Sequence, residues 1–181
     1  VFNGKEGPYL EDDPVDPISV YGKSKFAAEK YLMNSNISHT IVRANVLYSY
    51  SPATKASFLK WVVESLKDSK EIKVVTDQRN NPTSTSSLSD FISKIALSQT
   101  SGLFHYADRG VMSRFGFAEM IAGVFSLDSS LIKPISSSDL NQIAPRPLKS
   151  GLRTQKIKKE LSIYPPEVKE SLKSIYDTLK P

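Results

Sequence analysis

The sequence predicts an α/β fold built on a parallel sheet. Three observations carry that expectation. Short runs rich in β-branched and apolar residues alternate with stretches whose apolar residues recur at helical spacing. The 181 residues are 39% hydrophobic and 24% charged, which is ordinary globular composition and enough chain for one real core. No internal repeat, low-complexity tract or interdomain linker interrupts the pattern.

The elements follow in order. The opening, VFNGKEGPYLEDDPVDP, is rich in Gly, Pro and Asp and reads as a long surface loop. A helix is expected from near Ile18 to about Asn34, with Tyr21, Lys25, Ala28 and Leu32 on one stripe. HTIVRANVLY, residues 39–48, reads as a buried strand. Phe58, Leu59, Val62, Val63 and Leu66 mark a second helix, and Ile72–Thr76 a short strand. DQRNNPTSTSS is expected to be a polar loop leading into a helix that carries Leu88, Phe91, Ile92, Ile95 and Ala96. GLFHYA, residues 102–107, is another strand. Ser113 is a plausible N-cap for a helix with Phe117, Ile121 and Val124. After Leu131–Ile135 comes an irregular basic segment, IAPRPLKSGLRT. Pro165 and Pro166 are expected to start the last helix, whose buried face carries Val168, Leu172, Ile175 and Leu179.

Composition narrows the function classes. There is no apolar stretch of membrane-spanning length and no signal-peptide pattern, so no membrane partner and a cytoplasmic location are expected. With zero cysteines, disulfides and thiolate metal sites are excluded. The net charge of +5 invites a nucleic-acid reading, which would require strongly salt-dependent binding. The cations are instead spread among acids, and the densest group, Lys156, Lys158 and Lys159, reads as a solvated helix face. A mildly basic surface also suits an anionic nucleotide-sugar.

The pattern Tyr21-Gly22-Lys23-Ser24-Lys25 offers chemistry. Carbonyl reduction needs a hydride donor and a proton donor. An unperturbed phenol titrates near pH ~10, and a cation one helical turn away favours its ionised form. Spacing i, i+4 puts Lys25 beside Tyr21. Spacing alone proves little, because Tyr176 and Lys180 share it; that second pair reads as an exposed feature of the last helix.

The surrounding blocks say more. VFNGKEGPYLEDDPVDPISVYGKSK resembles the "VFDG…PY.E.D…P…YG.SK" block of the extended short-chain dehydrogenases/reductases. VVTDQRNNPTS is similar to their "DQ.G.PT" block, and APRPLKSGLRTQKI to "A.RP.NS.L...K". GLFHYADRGVMSRFGFAEMIA matches a strand-to-helix passage between them. Within that superfamily the chain looks most like the dTDP-4-dehydrorhamnose reductases and their relative, the regulatory subunit of methionine adenosyltransferase.

That resemblance implies a Rossmann-like parallel sheet, the C-terminal part of a doubly wound NAD(P)-binding fold, with a small substrate-binding α/β region. Residues 1–50 and 84–110 would form the Rossmann part and residues 51–83 and 111–181 the substrate side. It implies NADPH- or NADH-dependent reduction of the 4-keto group of a dTDP-deoxy-sugar. Tyr21 would protonate the C4 oxygen; Lys25 would favour its phenolate and hydrogen-bond the nicotinamide ribose. Ala44 and Asn45 would line the nicotinamide side. Val46 stands where these reductases carry a substrate-contacting tryptophan in "TSW", a departure that bears on which sugar is accepted. Arg146 would pair with a substrate diphosphate, with a structural salt bridge as the alternative. No Gly-rich phosphate turn and no upstream Ser/Thr partner occur in these residues, so the chain is expected to be the C-terminal portion of a longer protein. Such a portion is expected to bind NADPH poorly and to be unstable or associated without the remainder. A homodimer is possible for the whole. Other outcomes of the same fold are a non-catalytic regulatory subunit and an epimerase or dehydratase.

Smaller features complete the expectations. His39 and His105 do not pair for metal; His105 reads as buried and hydrogen-bonded. Asp77 and Gln78 either border substrate or cap a turn. Trp61 reads as packing, and Tyr9 as a support for its loop.

Overall fold

The computed structural model describes residues 1–51, 57–140 and 142–180. The N-terminal segment is irregular, as its Gly, Pro and Asp content dictates, but it does not lie wholly on the surface. Phe2 stacks on Tyr9 with ring centroids 4.2 Å apart, and both pack on Leu152. The Tyr9 hydroxyl donates to Asn3 Oδ1 at 2.9 Å, so this tyrosine does brace its loop.

Helix α1 (Val20–Met33) starts two residues later than Ile18 because Ser19 caps it. The Ser19 Oγ accepts the Gly22 N–H at 3.1 Å. Gly22 is required by a close approach: a Cβ there would come within 2.9 Å of Pro17 Cβ. Two strands replace the single run expected over residues 39–48, β1 (Thr40–Ala44) and β2 (Leu47–Tyr48). The break falls at Asn45–Val46, where Val46 has φ 26°, a conformation no β-branched residue adopts within a strand. Helix α2 (Phe58–Lys67) buries Leu59, Val62, Val63 and Leu66, as the periodicity predicts. Each such side chain contributes about 1.5–3 kcal/mol on leaving water. Trp61 lies on the other side of that helix, 43% exposed, with its ring against Phe58 rather than in the core.

Strand β3 (Ile72–Val75) is followed by the polar DQRNNPTS segment, which is not a plain loop. It holds β4 (Arg79–Asn80) and β5 (Thr83–Ser84), and Gln78, Asn80, Asn81, Thr83 and Ser84 are buried. Helix α3 (Thr85–Leu97), strand β6 (Gly102–Tyr106), strand β7 (Met112–Ser113) and helix α4 (Arg114–Phe125) come next. Ser113 is the N-cap of α4, its Oγ accepting the Gly116 N–H at 2.9 Å. Strand β8 (Ile132–Ile135), helix α5 (Gln155–Leu161) and helix α6 (Val168–Thr178) complete the chain. Pro165 and Pro166 precede α6 without entering it; Glu167 caps it through a capping box with Glu170. Val168 and Leu172 are buried, while Leu179 at the frayed end is 42% exposed.

Pairing is parallel for β1 with β6, β2 with β5 and β3 with β8. Strands β4 and β7 pair antiparallel, the one exception to the parallel expectation among the described residues. The longest register runs from Thr40↔Gly102 to Ala44↔Tyr106. The main core sits between α2, α4, α6 and β3, centred on Leu59, Val62, Val74, Phe117, Ile121 and Leu172. A second cluster joins α3, β6 and α5 through Leu88, Phe91, Ile95, Phe104, Tyr106 and Ile157. Lys156 of α5 is not a solvated cation: its Nζ donates to Leu103 O at 2.9 Å and lies over the Phe104 ring.

Candidate active site

Tyr21 and Lys25 stand on the first turns of α1, where helical geometry brings i and i+4 together. The Lys25 Nζ lies 5.4 Å from the Tyr21 ring centroid. Tyr21 is 73% exposed, and no carboxylate pairs with Lys25 among the described residues. Tyr176 and Lys180 show a similar contact at 4.6 Å, so the spacing alone produces the geometry. The second pair differs in its surroundings. Lys180 is engaged by Asp177 at 2.7 Å, and Tyr176 is half-buried against Phe125 rather than exposed.

What seats α1 is a buried ion pair. Glu29, two turns beyond Tyr21, accepts from Arg43 of β1 through both oxygens, Nε–Oε1 at 3.0 Å and Nη2–Oε2 at 2.7 Å. The remaining Arg43 nitrogen, Nη1, donates to Glu11 O and to His105 Nε2, each at 3.4 Å. His105 Nδ1 faces Tyr9 O at 3.2 Å. A carbonyl can only accept and a guanidinium can only donate, so these partners require the neutral Nδ1–H tautomer. Burial first, and then the Arg43 charge, lower the His105 pKa to about 4. His105 is therefore the buried, hydrogen-bonded residue the sequence leads one to expect. Glu11 closes the network by accepting the His105 backbone N–H at 2.8 Å.

This clamp sets the position of the tyrosine. Tyr21 is eight residues before Glu29, or about 12 Å along the helix axis. Open α/β sheets bind ligands at the carboxyl ends of their strands. Ala44 ends β1 there and is exposed. The Asn45 amide donates to Ser150 O at 2.7 Å, tying this strand end to the RPLKS segment. Val46 O accepts the Thr83 N–H at 3.0 Å, which holds its unusual backbone in place. Arg146 is exposed and forms no ion pair among the described residues, so the salt-bridge alternative has no partner there. Asp77 acts as a cap: it accepts from the backbone and hydroxyl of Ser137 and from the Ser136 hydroxyl. Gln78 is buried and donates to Gln142 Oε1 at 3.3 Å.

Sequence reasoning missed Asp108, which follows β6 and is fully buried. Its carboxylate accepts from the Ser84 N–H, the Ser87 hydroxyl and the Ser171 hydroxyl at 3.1, 2.6 and 2.8 Å. Burial raises its pKa against the pull of those donors. Asp108 thereby joins β5, α3 and α6. The only sequence signal was an acid immediately after an apolar strand. The Glu29–Arg43 pair had a weaker one, a glutamate in phase with Tyr21 and Lys25. No cluster of His, Cys, Asp and Glu able to hold a metal occurs among the described residues, and no helix there is long and apolar enough to cross a membrane.

The parallel pairing of β1 with β6, together with likeness to solved reductases, defines a Rossmann-like fold of the short-chain dehydrogenase/reductase class. Residues 1–180 match the family model described as the RmlD substrate binding domain, and the chain belongs to that family. It is 31% identical over 174 residues to the spore coat polysaccharide biosynthesis protein SpsK of Bacillus subtilis, covering 96% of this chain and 59% of that protein. It is 33% identical over 186 residues to a dTDP-4-dehydrorhamnose reductase of Sinorhizobium fredii, covering 97% and 62% of the two. A solved dTDP-4-dehydrorhamnose reductase of Bacillus anthracis, in complex with NADP, superimposes with a TM-score of 0.90 at 28% identity, over 98% of this chain and 62% of that one. The chain thus spans about three fifths of the length of these relatives.

Proposed function

We propose that this chain is the proton-donating and substrate-binding part of an NAD(P)H-dependent reductase acting on the 4-keto group of a dTDP-deoxy-sugar, yielding dTDP-rhamnose. The observation that carries the reading is the family match over residues 1–180, supported by a close structural likeness to a reductase crystallised with NADP. The residues present suit a nicotinamide: Tyr21 and Lys25 are open to solvent on α1, without a carboxylate on Lys25. When bound, the reduced nicotinamide supplies the hydride that reaches the carbonyl carbon. Tyr21 Oη–H donates its proton to the C4 oxygen as negative charge grows there. The Lys25 ammonium steadies the charge left on the Tyr21 oxygen and is free to hydrogen-bond a ribose hydroxyl. Ala44 and Asn45 line the nicotinamide side, and Val46 and Arg146 face the nucleotide-sugar. Residues 1–50 and 84–110 then form the cofactor side, and residues 51–83 and 111–181 the substrate side.

The full-length protein mixed with NADPH and the dTDP-4-keto-6-deoxy-sugar is expected to consume nicotinamide absorbance. Tyr21→Phe is expected to lower kcat by roughly 10²–10⁴-fold. Turnover that survives Tyr21→Phe removes Tyr21 from the role of acid, and no turnover by the unsubstituted protein refutes the reductase reading.

A further inference from the structure

Helix α1 carries Tyr21 and Lys25, yet little apolar surface fixes how it lies. Its buried residues are Gly22 and Glu29, and Phe26 and Leu32 are only half-buried. A surface helix is ordinarily seated by a wide apolar stripe. Two close contacts take that place here. At the start of the helix, Gly22 lies against Pro17, where a Cβ would come within 2.9 Å of the proline Cβ. Two turns on, Glu29 accepts two hydrogen bonds from Arg43, at 3.0 and 2.7 Å, one to each carboxylate oxygen.

Arg43 is itself held on several sides. Its Nη1 donates to Glu11 O and to His105 Nε2, and its guanidinium carbon lies 5.1 Å from the Phe2 ring centroid. Phe2 in turn stands edge-on to His105, with ring centroids 5.7 Å apart. Arg43 of β1 is the register partner of His105 of β6, so the guanidinium is tied to both paired strands. A planar fork bound through two parallel hydrogen bonds fixes the orientation of a carboxylate as well as its distance. Tyr21, Lys25 and Glu29 follow one another at four-residue steps, which places them within an arc of about 80° on the helix surface. An orientation imposed on Glu29 is therefore imposed on Tyr21 and Lys25. A side-chain tip lies about 6 Å from the helix axis, so a roll of about 10° moves it by about 1 Å.

We propose that Glu29 and Arg43 are positioning residues for the reduction: the buried pair fixes the roll of α1, and with it the reach of the Tyr21 hydroxyl and the Lys25 ammonium. Glu29 itself lies about 12 Å along the axis from Tyr21, too far to touch the reacting atoms. A misplacement of about 1 Å in a reacting group lowers the rate by up to about 10²-fold. Because Lys25 moves with Tyr21, loss of the pair disturbs the contact to the nicotinamide ribose as well as the proton donor. Val46 and Arg146, on the nucleotide-sugar side, lie outside α1 and keep their places. The proposal deepens the reductase reading and rests on it for the roles of Tyr21 and Lys25.

The test is steady-state kinetics of the full-length protein with NADPH and the dTDP-4-keto-6-deoxy-sugar, for Glu29→Gln, Arg43→Lys and the double variant Glu29→Gln/Arg43→Met. Rates are taken where circular dichroism shows each variant folded. Arg43→Lys keeps the charge and loses the planar fork, so it separates orientation from charge pairing. Both single variants are expected to lower kcat about 10-fold or more and to raise KM for NADPH about 3-fold or more, with KM for the sugar within about 2-fold. The double variant leaves no unpaired charge and is expected to regain stability but not kcat. A pair that served stability alone would lower the active fraction and nothing else. An unchanged KM for NADPH in the single variants, or a kcat that recovers with stability in the double variant, therefore overturns the proposal. If the unsubstituted protein turns over no keto-sugar, the reductase reading falls and NADPH titration by calorimetry decides the pair. Weaker NADPH binding by Arg43→Lys then keeps the seating of Lys25, and unchanged binding overturns it.

Discussion

Glu29→Gln is the most informative single change to the fold. It keeps the side-chain volume and one acceptor oxygen, and removes one charge from the pair that seats α1 on β1. The two side chains are 10% and 7% exposed, so neither charge regains water when its partner is lost. Arg43 keeps its contacts to Glu11 O and His105 Nε2, both at 3.4 Å, and neither brings a compensating negative charge. Breaking a buried pair in this way costs about 3–5 kcal/mol. Against a typical domain stability of about 5–15 kcal/mol that is a large share. The assay is urea unfolding of the full-length protein at neutral pH, for Glu29→Gln, Arg43→Met and the double variant. The double variant is expected to be more stable than the sum of the single losses by at least ~2 kcal/mol, because it leaves no unpaired charge. A loss under ~1 kcal/mol for Glu29→Gln, or simple additivity, refutes the argument that this pair seats the helix.

Two further outcomes follow from buried titratable groups. His105 has a folded pKa near 4 against the ordinary 6.5, so between those values the unfolded chain binds a proton that the folded chain lacks. Stability therefore rises with pH across that window and falls by on the order of 3 kcal/mol as pH drops through it. Urea midpoints measured at mildly acidic and neutral pH are expected to converge in His105→Gln; an unchanged slope assigns the effect to another group. Asp108→Ala strands the Ser84 N–H and the hydroxyls of Ser87 and Ser171 in a buried site. The expected loss is at least ~3 kcal/mol, read by chemical unfolding, and a loss below ~1 kcal/mol shows those donors find water.

Val46 puts a small branched side chain at the break between β1 and β2. Its backbone, at φ 26°, is fastened to β5 by the Thr83 N–H. The strand break at this point is a property of the β2–β5 pairing. A continuous strand over residues 39–48 was the natural reading of HTIVRANVLY because nothing local marks the turn.

By itself the sequence determined those elements whose signal repeats within a few residues. Helices α2, α3 and α4 were legible because their apolar residues recur every third or fourth position, and α4 also carries its own cap in Ser113. The expectation for Tyr21 and Lys25 rests on the blocks around them, not on their spacing, which Tyr176 and Lys180 repeat on another helix. Tertiary structure decided the rest. Strands β4, β5 and β7 have two residues each and exist only through partners such as Ser113 for Arg79 and Leu47 for Thr83. The clamp under α1 joins Glu29, Arg43, His105 and Glu11 across separations of 14, 62 and 94 residues. Its charges and hydrogen bonds become strong only once the fold removes water from them, and a linear chain carries no mark of which charges will be buried together.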